Sequence, residues 1–219
     1  MNKFFSLLLA LLDFKNLARE LPSSVDCLRF NKRLYNLLFS ARFFNDPIKT
    51  LEFALSQSKA FGVGLEFGVY SGRTLKVITK NFPGRTFGFD SFEGLPEYWR
   101  DGFPAGTFRI SEIPAIEDAR IIVGLFQDTL EPFLKELTDS ILFIHLDADL
   151  YSSTKFVLRE LNNSIEPGCI ILFDEFMNYP GFENHEYLAF SEWCTEFSRE
   201  CVPIAFTDSH EQMAFKVVS

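Results

Sequence analysis

Five stretches of the chain place acids, glycines and amides where they could do chemistry. In Glu66-Phe67-Gly68-Val69-Tyr70-Ser71-Gly72, two glycines stand four apart behind an acid. At a strand-to-helix turn such glycines let backbone pass close to a ligand. The free amides of the helix that follows suit a carboxylate. Glu66, Gly68, Tyr70, Ser71 and Gly72 are therefore candidate cofactor contacts, although the segment also suits a tight turn with no ligand. Asp90, with Ser91 behind it, can accept both hydroxyls of an adenosine ribose, or simply cap a turn. Phe126-Gln127-Asp128 could hold an adenine ring, and Asp128 equally suits a helix N-cap, with Glu131 in capping-box position.

The remaining two stretches are acidic: His145-Leu146-Asp147-Ala148-Asp149-Leu150-Tyr151 and Asp174-Glu175. If they end adjacent parallel strands, Asp147 and Asp174 come within several ångströms of each other. Bare carboxylates that close repel, and a divalent cation resolves the conflict. Donors that are all oxygen point to magnesium, calcium or manganese rather than zinc. Asp149 is a reserve ligand. The bland alternative is that these acids only cap helices. Of the three histidines, His185 follows the Asp174 strand and is the first candidate for general base, with a helix-start role as its alternative. His145 reads as a core residue inside a strand, and His210 as a solvated turn residue.

These residues must be positioned by strands alternating with helices. Strands are expected at Val63 to Phe67, Arg85 to Asp90, Ala119 to Val123, Ser140 to Leu146 and Cys169 to Phe173, with helices after most of them. Each strand is apolar on both faces, which implies a parallel sheet covered on both sides. The tight turn Asp208-Ser209-His210-Glu211 joins two last strands, near Pro203 to Thr207 and Gln212 to Val218, and forces an antiparallel hairpin. Residues 1–59 read as helices, one of them starting at Asp46-Pro47 as N-cap and first-turn proline. The aromatic segment from Ser91 to Asp118 suits a lid, a substrate wall or a satellite core.

Composition narrows the function. The 219 residues carry a net charge of -9 with no basic cluster, which argues against a nucleic-acid partner. A hydrophobic share of 47% supports a folded core. No GxGxxG occurs, which argues against a nicotinamide or flavin cofactor. The apolar run Phe4 to Leu12 is too short to span a bilayer and lacks a cleavage site, so a cytoplasmic protein with reduced cysteines and no stable membrane insertion is expected.

Glu66 to Gly72, Gly88-Phe89-Asp90-Ser91-Phe92-Glu93-Gly94-Leu95-Pro96 and Leu146-Asp147-Ala148-Asp149-Leu150-Tyr151-Ser152-Ser153-Thr154 together resemble the macrocin O-methyltransferase family, in order, over about residues 61–218. The resemblance implies a class I, S-adenosylmethionine-dependent enzyme with a seven-stranded, Rossmann-like, mostly parallel sheet. It implies a magnesium ion held by Asp147, Asp174 and Glu175 that chelates a hydroxyl of a small molecule of sugar or secondary-metabolite type. Asp147 then shares the catalytic role with His185. Two departures stand out: Glu175 replaces a usual aspartate, and the segment after Pro180 lacks a usual arginine. The domain layout expected is a helical extension over residues 1–59, covering the site or building a dimer face, and a methyltransferase domain over 60–219. A metal-independent small-molecule methyltransferase and a non-catalytic adenosine-binding module are the alternatives.

Overall fold

Asp46 takes an extended backbone and its Oδ1 accepts from the amides of Ile48 (2.8 Å) and Lys49 (3.4 Å), so helix α1 (Pro47–Ser56) starts with a capped first turn. Proline at the first position forfeits an amide that would have no partner anyway. The computed structural model describes residues 41–58 and 61–219. After α1 come β2 (Val63–Phe67), α2 (Arg73–Asn81), β3 (Arg85–Asp90), β4 (Ala119–Val123), α3 (Phe126–Glu136) and β5 (Ile141–Leu146). Then follow α4 (Tyr151–Leu161), β6 (Ile165–Phe173), α5 (Glu186–Glu196), β7 (Cys201–Thr207) and β8 (Met213–Val217).

The sheet order is β1-β7-β8-β6-β5-β2-β3-β4, where β1 is Arg42–Phe44. Only β8 runs against the rest: it pairs antiparallel with β6 and β7, and every other neighbouring pair is parallel. The mostly parallel sheet with a C-terminal hairpin is the architecture the sequence implied. The eighth strand is an addition. Three residues are too few to show a period, and β1 lies inside a stretch whose other signals are helical.

Alternate residues of the central strands enter different cores. Ile144, Leu146, Ile171 and Phe173 join Leu130, Val157, Phe190 and Trp193 under α3, α4 and α5. Phe143, Ile170, Leu172 and Ala214 join Leu51, Leu55 and Ile78 under α1 and α2. Both faces of the sheet are therefore dry, as near-continuous apolar strands require. Leu51, Ala54 and Leu55 are almost fully buried, and β1 pairs with β7, so residues 41–58 form part of the sheet domain. The covering or dimer-forming role expected of the N-terminal segment otherwise lies on residues outside those described. Among the described residues no helix is long and apolar enough to cross a membrane.

The strand order reverses direction between β5 and β2. From there the chain winds outward through β3 and β4 on one side and through β6 on the other. Ligands of open α/β sheets bind beyond the carboxyl ends of the strands at such a point.

Candidate active site

At the exit of β2, backbone packing sets the sequence. Gly68 has φ +94°, and a Cβ there would lie 1.8 Å from the Asp147 carbonyl oxygen leaving β5. Its glycine is needed for strand-to-strand approach rather than for approach to a ligand. Gly72 adopts φ +73° at the start of α2, where a Cβ would meet Ile116 Cδ1 at 2.3 Å. Neither Ser71 nor Gly72 reaches the cavity described below, whereas Gly68 and Tyr70 line it. Asp90 organises the loop between them. Its Oδ2 accepts from the amides of Val69 (2.8 Å) and Tyr70 (2.8 Å), and its Oδ1 from that of Phe92 (2.7 Å).

Glu66 does not face the cavity. The register of β2 against β5 sets it opposite His145, and both side chains are fully buried, with Glu66 Oε1 2.9 Å from His145 Nδ1. Burial pushes the Glu66 carboxyl above its usual range, partly offset by His145. Burial would lower His145, but the nearby carboxylates of Asp174 and Glu66 outweigh this and raise it well above the usual imidazole value. His145 is therefore a buried charge partner of Asp174 more than an inert core residue. The sequence carried a signal for it in the aligned positions of Glu66 and His145, one residue before each strand's end.

A cavity of about 390 Å³ opens at the switch point. That size lies within the range of about 300–1,000 Å³ usual for small-molecule sites. One side is formed by Gly68, Tyr70, Asp90, Ser91, Phe126 and Gln127, and the other by Asp147, Asp149, Asp174, Glu175, His210 and Glu211. Asp128 is not among its residues. Helix α3 begins three residues earlier than its acid suggested, with extended Leu125 as N-cap after Gly124 at φ +141°. Asp128 then sits inside the first turn, where its charge suits the helix dipole, and it caps nothing.

The acids form two overlapping groups. Oxygens of Asp147, Asp149 and Glu175 lie within 4.8 Å of one another, and so do ligand atoms of His145, Asp147 and Asp174. Asp147 belongs to both. The expected trio of Asp147, Asp174 and Glu175 does not form one group: Asp174 and Glu175 fall in different groups that share Asp147, and Asp149 stands in the group of Glu175. Asp149 gets there by adopting φ +58°, a strained conformation for a residue with a side chain. Burial, then the Asp174 charge, pushes its carboxyl up to about 7. Burial and mutual repulsion also raise Asp147 and Glu175. Asp174 behaves oppositely: burial would raise it, but His145 and Gln212 hold it below the usual carboxylate range. Glu175 is only 8% exposed, and its Oε2 has no hydrogen-bond partner.

The rim is aromatic and, among the described residues, carries one guanidinium. Arg100 lies over Trp99 at 3.9 Å and Tyr179 at 4.3 Å and forks onto Glu211 at 3.1 and 3.2 Å. Trp99, Phe103 and Phe108 of the Ser91 to Asp118 segment line the cavity, while Phe92 packs with Val69 and Leu75. That segment is thus both wall and small core. His185 is not part of the wall. It occupies the N-cap position of α5, behind the rings of Trp99 and Tyr179, and burial with the Arg100 charge lowers its pKa. Among the described histidines, His210 is the one that lines the cavity. The hairpin turn had marked His210 as solvated, and it is exposed. The antiparallel strand β8 beside β6 is what swings that turn over the β6 exit.

A mostly parallel α/β sheet with one reversed strand, β8, near its edge is the fold that the resemblance to class I methyltransferases implied. A family model described as a methyltransferase domain matches residues 65–176, just over half of the chain, and the chain belongs to that family. No curated protein matches it in sequence. Among solved structures it is similar to the calicheamicin methyltransferase CalS11, at 20% identity over 94% of this chain and 86% of that one, with a TM-score of 0.61. It is also similar to the O-methyltransferase NovP, at 19% identity over 78% and 79%, with a TM-score of 0.58. An O-methyltransferase from Bacillus cereus in complex with SAH matches at 15% identity over 90% and 91%, with a TM-score of 0.54. At these identities the likeness is one of fold.

Proposed function

We propose that the protein transfers a methyl group from S-adenosylmethionine to a hydroxyl of a small molecule, sugar-like or of secondary-metabolite type, with the help of a divalent cation. The observation that carries this reading is one continuous cavity with Gly68, Tyr70 and Asp90 on one side and the acid cluster with His210 on the other. S-adenosylmethionine would supply the electrophilic methyl, and the cation would supply Lewis acidity toward the acceptor hydroxyl.

The residues fit both groups. Tyr70, Asp90, Ser91, Phe126 and Gln127 provide polar and aromatic contacts of the kind a nucleoside needs. Asp147, Asp149, Asp174 and Glu175 offer only oxygen, which suits magnesium, and the unpartnered Glu175 Oε2 is an acceptor that a cation would satisfy. Among the described residues six carboxylates line the cavity against the single guanidinium of Arg100, and that excess favours two cationic occupants, a sulfonium and a metal ion. Among the chain's own groups, the aromatic wall of Trp99 and Phe103 can orient the acceptor and exclude water. His210 can take the proton that the hydroxyl loses as its oxygen bonds to carbon. His210 replaces His185 in this role because it lines the cavity and His185 does not.

Methyl transfer to a panel of hydroxylated acceptors, followed by mass spectrometry with and without a chelator, tests the reading. We expect turnover that chelation abolishes and magnesium restores. Asp147→Asn, which touches both acid groups, should cost more than the roughly 10–100-fold typical of outer-shell changes around a metal. Full activity in chelator would remove the cation from the mechanism, and absence of S-adenosylmethionine binding by calorimetry would overturn the whole reading.

A further inference from the structure

A buried polar chain leads away from Asp174 to the opposite side of the hairpin. The side-chain amide of Gln212, a residue only 2% exposed, donates to Asp174 Oδ1. Gln212 Oε1 accepts from Thr207 Oγ1 at 3.2 Å, and Thr207 Oγ1 lies 2.7 Å from Thr50 Oγ1 in α1. Thr207 and Thr50 are fully buried. The direction of the chain follows from counting protons. A hydroxyl has one to give, and Thr207 gives it to Gln212, so the 2.7 Å contact is made with the Thr50 proton, for which the Asp46 carbonyl at 3.4 Å is the longer alternative acceptor. The Gln212 carbonyl is thereby committed to Thr207 and its NH2 to Asp174. A flipped amide would set an oxygen against the Asp174 carboxylate.

Burying these polar side chains costs free energy unless each is bonded, and apolar residues of similar size would fill the space more cheaply. What the chain achieves is orientation. It engages Oδ1 of Asp174, toward which His145 Nε2 also points at 3.5 Å, a distance at which attraction is mainly electrostatic. Oδ2 is left for the cavity that Asp174 lines. We infer that Gln212, braced by Thr207 and Thr50, is a positioning residue that turns Asp174 so that one carboxylate oxygen serves the acceptor site. All three bracing residues lie outside the segment matched by the family model, and Thr50 brings α1 into the machinery. The inference rests on the proposed reading of the acid cluster as part of a methyl-transfer site.

The test compares Gln212→Met, which keeps the shape and removes the donor, with the pair Thr207→Val and Thr207→Ser. Binding of Mn²⁺ is titrated, S-adenosylmethionine affinity is measured by calorimetry, and crystal structures give the Asp174 conformation. We expect Gln212→Met to weaken Mn²⁺ binding by about 10–100-fold while cofactor affinity stays within about twofold. Thr207→Val should lose less in the same direction, and Thr207→Ser should restore it. Asp174 should rotate or split into two conformers in Gln212→Met. Unchanged Mn²⁺ affinity with Asp174 still in place would overturn the inference. If the wild type takes up no Mn²⁺, the cation part of the proposed function fails, and the Asp174 conformation alone decides the positioning role. Should Gln212→Met not fold, the threonine pair decides: equal Val and Ser variants overturn it, and a loss rescued only by Ser supports it.

Discussion

A carboxylate has about four lone-pair sites, and Asp90 gives three of them to backbone amides of Val69, Tyr70 and Phe92. Room remains for one ribose hydroxyl rather than two. Asp90 is then mainly the scaffold of the loop that shapes the cofactor side. Asp90→Ala should therefore lower both stability and cofactor affinity, each by roughly 1–3 kcal/mol, since it leaves amides unpaired. Thermal unfolding and calorimetry on the same variant check this; a loss of affinity with unchanged stability would return Asp90 to a purely ligand-binding role. At the same scale, His210→Ala should lower kcat by about 10²–10⁴-fold if the imidazole takes the hydroxyl proton, and His185→Ala should leave kcat nearly unchanged. The reverse pattern would reinstate His185. Residue type and strand position made Asp147, Asp174 and Glu175 legible, because acids at strand ends gather at one point in this fold. The sequence did not reveal the roles of His145 and His210. Each depends on which residue the neighbouring strand sets beside it.

Elements explain what local patterns missed. Strand β1 and helix α1 belong to the sheet domain because Leu51, Ala54 and Leu55 close one of its two cores. Three residues of strand gave no period from which to read that. The strand ends carry the tightest constraint. A Cβ at Gly68 would strike the Asp147 carbonyl oxygen, a backbone atom that cannot move without shifting the end of β5. Gly68→Ala should cost at least about 2 kcal/mol from the left-handed backbone and the clash together. Loss of the acid cluster's geometry should follow, because β2 and β5 leave the sheet side by side. Chemical denaturation measures the first effect, and a Gly68→Ala protein as stable as wild type would show that the two strand ends can separate freely.

For the whole molecule, the acid cluster is a liability that pH exposes. Asp149 titrates at 3.8 in an ordinary setting and at about 7 here, and Asp147, Glu175 and Glu186 are raised as well. Between about pH 4 and pH 7 the unfolded chain has lost the Asp149 proton while the folded chain still holds it, and the other raised acids act in the same direction. The folded state then binds more protons, so stability falls as pH rises through the window and is fully present only below it. His145, raised above its usual value, pushes in the same direction at higher pH. Asp174 opposes them, but its depressed pKa contributes stability that is lost only as pH falls below the ordinary carboxylate range. The metal-free protein should therefore melt at a lower temperature at pH 8 than at pH 5. A divalent cation needs the ionised acids and binds only the folded cluster, so added magnesium should raise the melting temperature more at pH 8 than at pH 5. Thermal scans at the two pH values, with chelator and with magnesium, measure both slopes. A melting temperature flat across the window would mean that the acids ionise without cost. A magnesium effect of equal size at both values would mean that the ion binds somewhere other than the acid cluster.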